Sequence, residues 1–153
     1  MPPSTLVLEI RGLDELNKQL GKVEAALRLA PILRAAALAI KDKVARYPRS
    51  TMANSPMART WYERGFGPKW YRRDGSVGGS RTSETLGRRW TTRASATEAR
   101  VGNNASYAPF VQGRGTQAQF HARRGWRTLE DVGEQEGARI IKRVEQAIAR
   151  AIR

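Results

Sequence analysis

Ser83-Glu84-Thr85-Leu86-Gly87-Arg88-Arg89-Trp90-Thr91-Thr92, with Ala99-Arg100-Val101-Gly102-Asn103-Asn104-Ala105-Ser106-Tyr107-Ala108-Pro109-Phe110-Val111-Gln112-Gly113 after it, decides how this chain is read. From Leu86 to Ala94 the residues alternate, with Leu86, Arg88, Trp90, Thr92 and Ala94 on one face. Ser95-Ala96-Thr97 makes a turn, and Glu98 to Gly102 returns with Ala99 and Val101 inward, which predicts a β-hairpin. Asn103-Asn104 suit a tight turn, because asparagine tolerates left-handed geometry. Tyr107 to Gln112 predicts a short apolar element, a helical turn or a strand, closed by Gly113. Nothing in this stretch carries catalytic chemistry; it reads as a framework for assembly.

Upstream, Thr5 to Arg11 alternates, with Leu6, Leu8 and Ile10 facing one way, and predicts a half-buried strand ended by Gly12. Asp14 stands where a helix N-terminus favours an acidic side chain. Leu13, Leu16, Leu20, Val23 and Leu27 then recur at helical spacing. Pro31 is expected to interrupt that helix and to open a second one, striped by Leu33, Ala37, Ile40 and Val44 and ended by Tyr47-Pro48. Downstream, Thr116 to Ala122 alternates as a third strand, with Ala118 and Phe120 opposite Gln117, Gln119 and His121. Thr128, with Asp131 three residues on, opens a last helix in the manner of a capping box. Val132, Ile140 or Ile141, Val144, Ile148 and Ile152 form its stripe.

The order strand, two helices, long arm, three short strands and long helix predicts an α+β domain over 1–153. Its N-terminal helices and long C-terminal helix pack on a small antiparallel sheet. Trp90, Tyr107, Phe110 and Phe120 are expected in its core, with the stripe leucines.

Residues 48–82 stand apart. Pro, Gly, Ser and Arg dominate, no period is sustained, and Asp74-Gly75 and Gly78-Gly79-Ser80 signal turns. An extended arm or loop insertion is expected here, with room for a short hairpin. Trp61, Tyr62, Phe66, Trp70 and Tyr71 are interleaved with Arg59, Arg64, Arg72 and Arg73. Arginine with Trp and Tyr is the composition of protein interface cores, and the same residues stack on single-stranded bases. These nine residues are the candidate binding residues. The competing reading folds the arm back on its own domain, its aromatics filling a minor core.

The 153 residues carry 28 basic and 14 acidic side chains, a net charge of +14. The excess is spread along the chain, with no basic tail. Such a charge favours nucleic acid or an acidic protein surface without choosing between them. The absence of cysteine excludes a disulfide framework, thiolate zinc and a cysteine nucleophile. No apolar run approaches the ~20 residues that span a bilayer. Met1-Pro2-Pro3-Ser4 lacks the start of a signal peptide, so a cytoplasmic product is expected.

Catalytic signals are weak. The single histidine, His121, has no ligand-spaced partner and is expected to be exposed or at a strand edge. Gly113-Arg114-Gly115-Thr116 lacks the phosphate-loop pattern and reads as a turn. Glu130, Asp131, Glu134 and Glu136 crowd the start of the last helix, as its dipole favours. Glu134 and Glu136, two apart, share no helical face on which to hold a metal together. No enzyme, cofactor or metal site is expected. A small ribonuclease would need a paired acid and base that the sequence lacks.

Gly12-Leu13-Asp14-Glu15-Leu16 after the first strand, Leu86-Gly87-Arg88, Val101-Gly102-Asn103, Tyr107-Ala108-Pro109-Phe110-Val111-Gln112-Gly113 and the closing amphipathic helix form one pattern. It is similar to the tail-completion proteins (head–tail joining, minor tail or neck proteins) of long-tailed double-stranded DNA phages and prophages. The resemblance covers most of the chain outside 48–82. The sequence departs from it at Gln112, where an acidic residue is common in that family, and in the length of the arm. The resemblance implies a structural, non-enzymatic virion protein made in the host cytoplasm. It implies a ring, expected to be a hexamer, at the head-proximal end of the tail. The ring would meet a connector or head-completion protein on one side and a tail-tube or tail-terminator protein on the other, with packaged DNA nearby and no membrane. Closing a ring needs one patch on each subunit to meet a different patch on the next. The alternative, carried by charge and the aromatic arm, is a basic nucleic-acid-binding protein.

Overall fold

The computed structural model of the chain describes residues 6–10, 24–63, 67–79 and 85–151. The fold is α+β, with two three-stranded antiparallel sheets and a long C-terminal helix.

The first sheet has the order β1 (Leu6–Ile10), β6 (Ala99–Asn103), β5 (Trp90–Ala94). β6 is central and mostly buried, pairing Leu6 with Asn103 and Ile10 with Ala99 on one side, and Trp90 with Asn103 and Ala94 with Ala99 on the other. The β5–β6 hairpin is closed where predicted. Ser95 N donates to Glu98 O at 2.8 Å, and Ser95 Oγ accepts from the backbone N–H groups of Thr97 and Glu98.

Helix α1 (Glu24–Val44) packs across β5 and β6, and the last helix, α5 (Leu129–Ala151), packs on α1. Leu33, Ala37, Ile40 and Val44 of α1 meet Val101, Trp90, Leu129 and Val132 in one core. Thr128 Oγ1 accepts the Asp131 backbone N–H at 3.1 Å, the cap that the sequence predicts. Of the two isoleucines offered for the α5 stripe, Ile140 packs on the core and Ile141 is exposed.

Four expectations are corrected. Pro31 does not break the helix: it lies inside α1. An interior proline costs about 3 kcal/mol, and burial of Leu29 and Leu33 on either side of it, roughly 1.5–3 kcal/mol each, offsets that cost. Leu86 is not in a strand but in a helical turn, α2 (Thr85–Arg88), which buries it; β5 starts only at Trp90. Asn103 adopts no left-handed geometry. Its buried side chain serves as a strut, with Nδ2 donating to Leu86 O at 2.8 Å and Oδ1 accepting from Ala105 N at 2.9 Å. The third strand over 116–122 is replaced by the short helix α4 (Gln119–Arg123), which follows α3 (Ala108–Gln112). With that change Tyr107, Phe110 and Phe120 leave the core and are exposed, while Trp90 is buried as expected. The stripe from Leu13 to Val23 lies outside the described residues.

Candidate interaction surface

The arm segment carries the second sheet, a meander of β2 (Thr60–Glu63), β3 (Gly67–Tyr71) and β4 (Val77–Gly79). Thr60 pairs with Trp70, Tyr62 with Pro68, and Trp70 with Gly78. The predicted Asp74-Gly75 turn joins β3 to β4. Asp74 Oδ1 accepts from Ser76 N at 2.9 Å and Ser76 Oγ at 2.7 Å, and Gly75 takes φ +81°, which a side chain would resist. Those bonds from Ser76 hold the Asp74 carboxyl below its ordinary range.

β2 is bolted to the main domain. Within the arm, buried Asn54 ties β2 to the segment that follows α1. Its Oδ1 accepts from Tyr62 N at 2.6 Å, and its Nδ2 donates to Tyr62 O at 3.1 Å and Arg49 O at 3.2 Å. Arg124 donates to Thr60 O at 2.6 Å and Thr60 Oγ1 at 3.0 Å. The Tyr62 ring stands edge-on to Trp126, with centroids 5.3 Å apart. Its hydroxyl lies 2.8 Å from Nδ1 of His121. Burial pushes the Tyr62 hydroxyl up to about 12 and holds His121 down at about 4, so both are neutral at pH 7. The expectation of an exposed or edge histidine is thereby corrected: His121 sits on α4, buried beneath the arm.

The nine candidate residues divide accordingly. Trp61 is buried and lies 5.2 Å, ring to ring, from Tyr71; Tyr62 is half-buried against the core. These two anchor the sheet. Trp70, Tyr71, Arg72 and Arg73 are exposed on and beyond β3, and Val77 adds an exposed apolar side chain on β4. Trp70 lies over Gly78, where an added Cβ would stand 2.8 Å from the indole Nε1. Arg59 is exposed ahead of β2. Arg64 and Phe66 lie outside the described residues. Sequence reasoning missed His121 and Arg124 as the groups that seat the sheet, and Asn54 as its internal tie. A polar residue reaching across the chain leaves no local period to read.

Gln112 is fully buried, and its Nε2 donates to Val44 O at 2.8 Å and Arg127 O at 3.2 Å. It closes the C-terminal end of α1 from within the same chain. A carboxylate there has no proton to give to either carbonyl, so the neutral amide at this position fits its local task.

The acidic start of α5 is gathered by one cation. Arg114 reaches Glu134 at 2.7 Å and Asp131 at 2.8 Å, while its backbone N–H donates to Glu130 at 3.1 Å. Glu136, on another face, is buried and paired with Lys43 of α1. Among the described residues no group of three or more His, Asp or Glu is placed to hold a metal ion, and no helix is long and apolar enough to cross a membrane.

Compared with known proteins, the chain matches no family model, no curated protein and no solved structure.

Proposed function

We propose that this chain is a structural, non-catalytic virion protein of a long-tailed phage. In this reading it forms a ring at the head-proximal end of the tail and completes the junction between tail and connector. The observation that carries it is the arm sheet. Trp70, Tyr71 and Val77 stand exposed beside Arg72 and Arg73 on a sheet that is itself anchored by Trp61, Tyr62 and Asn54. Large amphipathic side chains and arginine on a rigid support are what a protein interface uses, because little conformational entropy is lost when a partner covers them. The resemblance to tail-completion proteins supplies the rest: a neighbouring subunit, or the proteins above and below the ring, as the partner. Six subunits are expected.

The test is a double replacement, Trp70→Ser with Tyr71→Ser, in assembling particles. The variant folds, but heads and tails fail to join and rings are missing from electron micrographs. Normal joining would overturn the assignment. The net charge of +14 favours the second reading, a nucleic-acid-binding protein. A steep loss of duplex or single-strand affinity with salt, at intact head–tail joining by the double variant, would select it instead.

A further inference from the structure

A hollow of about 360 Å³ lies between the end of α1, the segment after it and the turn that follows α4. Lys43, Arg46, Arg49, Arg124 and Arg127 line it, and among the described residues no carboxylate does. Glu136 acts on this group from outside: it is paired with Lys43 and is felt by Arg127. Arg124 is held by the neutral oxygens of Thr60, and Arg127 by the Gln135 amide oxygen. Arg46 and Arg49 are exposed and form no ion pair among the described residues. Four arginines thus converge on one concavity with little compensating charge among the described residues. Low-dielectric walls focus such a field, and guanidinium groups already held in place lose little freedom when an anion arrives.

We propose that this pocket receives an acidic peptide segment of a partner protein, whose carboxylates pair with Arg46, Arg49, Arg124 and Arg127. Shape distinguishes this occupant from nucleic acid. A duplex presents phosphates on a convex, regularly spaced surface and needs cations along an open face. Here the cations surround a hollow whose walls include Tyr47 and Pro48, apolar surface suited to the methylenes of Asp or Glu. Arginine forks match carboxylates in bidentate pairs. The pocket is separate from the exposed face of Trp70 and Tyr71, so this assignment does not rest on the virion reading.

The experiment uses the full chain and a fluorescein-labelled hexaglutamate peptide, followed by anisotropy at about 0.15 M salt, where long-range attraction is largely screened. Arg46→Glu with Arg49→Glu should weaken binding roughly tenfold or more, since two close charge pairs become repulsive. Lys142→Glu with Arg143→Glu makes the same change in net charge on an exposed face of α5, and should weaken it less than about twofold. Trp70→Ser with Tyr71→Ser should leave it unchanged, which separates this site from the arm surface. Circular dichroism confirms that each variant folds. Failure of the unaltered chain to bind the peptide, or equal losses from the two charge reversals, would overturn the proposal. Tighter binding of an oligonucleotide of equal charge that depends on Arg46 and Arg49 would also overturn it, and would make the pocket a phosphate site.

Discussion

The hydroxyl of Tyr62 and Nδ1 of His121 lie 2.8 Å apart, and through that bond a strand of the arm is fixed to a helix 59 residues further along the chain. Burial depresses the imidazole to about 4 and raises the phenol to about 12. An unfolded histidine titrates near 6.5, so between pH 6.5 and 4 the unfolded chain binds a proton that the folded chain refuses. Stability from this group is therefore complete above 6.5 and is lost as pH falls toward 4. Tyr62 acts on the other flank, with stability present below pH 10 and lost as pH rises toward 12. By linkage, each flank is worth about 1.4 kcal/mol for every pH unit by which the group's midpoint moves on folding. His121 is the chain's one histidine, so proton NMR reads it without assignment. A titration midpoint near 4 is expected; one near 6.5 would refute the burial argument. His121→Phe should remove the acid-side slope that this group contributes.

Replacing Gln112 by Leu would leave the buried carbonyl of Val44 and the partly buried carbonyl of Arg127 without the amide that now serves both. A loss of roughly 1–3 kcal/mol is expected in urea unfolding, since unpaired buried acceptors carry their full desolvation cost. The unfolding slope should not change. A loss under about 0.5 kcal/mol would mean that water replaces the amide.

Trp61→Ala should loosen the arm sheet before it affects the main domain. Trp61 is 6% exposed and rests against Tyr71, and truncating a buried tryptophan costs about 3–5 kcal/mol where its surroundings cannot collapse. Limited proteolysis should cut within residues 55–80 of the variant while the remainder stays protected. Uniform digestion of the chain would show instead that the sheet and the main domain unfold as one unit.

At Gly78 a methyl group would displace the Trp70 indole, the end of a side chain that is free to swing outward. Gly78→Ala should therefore red-shift Trp70 fluorescence and move the melting temperature by no more than about 3 °C, as a change under ~1 kcal/mol would. The variant should also weaken whatever partner covers the sheet. An unchanged emission spectrum would argue that the backbone, not the indole, yields.

Arg114→Ala frees two carboxylates, Asp131 and Glu134, from their shared cation, while the backbone N–H that serves Glu130 remains. The carboxyl of Glu134, held low chiefly by its bond to Arg114, should titrate at higher pH in the variant. The accompanying loss of stability should shrink in 0.5 M salt, because these groups are exposed and a Debye length of about 4–5 Å screens them. A salt-independent loss would point to packing of the arginine stem instead.

Sequence legibility followed the range of each interaction. The β5–β6 hairpin, the Asp74-Gly75 turn and the Thr128 cap rest on contacts a few residues apart, and all three appear where the pattern predicts them. Thr116 to Ala122 alternates like a strand, yet α4 is helical. A segment this short carries too little periodicity to decide, and its docking through His121 and Trp126 decides instead. Trp61 and Trp70 look alike in sequence, nine residues apart in one aromatic arm. Their pleat positions in adjacent strands bury the first and leave the second 40% exposed.

The chain by itself therefore determined the α+β class, the hairpin, the turn chemistry and the strong positive charge, because propensity, alternation and composition are local or additive. Only the tertiary structure decided which aromatics anchor and which remain available, that Gln112 closes a helix from within, and that five cations from distant segments converge on one hollow. Those outcomes depend on long-range register and on polar groups reaching across the fold. Desolvation makes each such contact valuable, and no short window of sequence contains both of its partners.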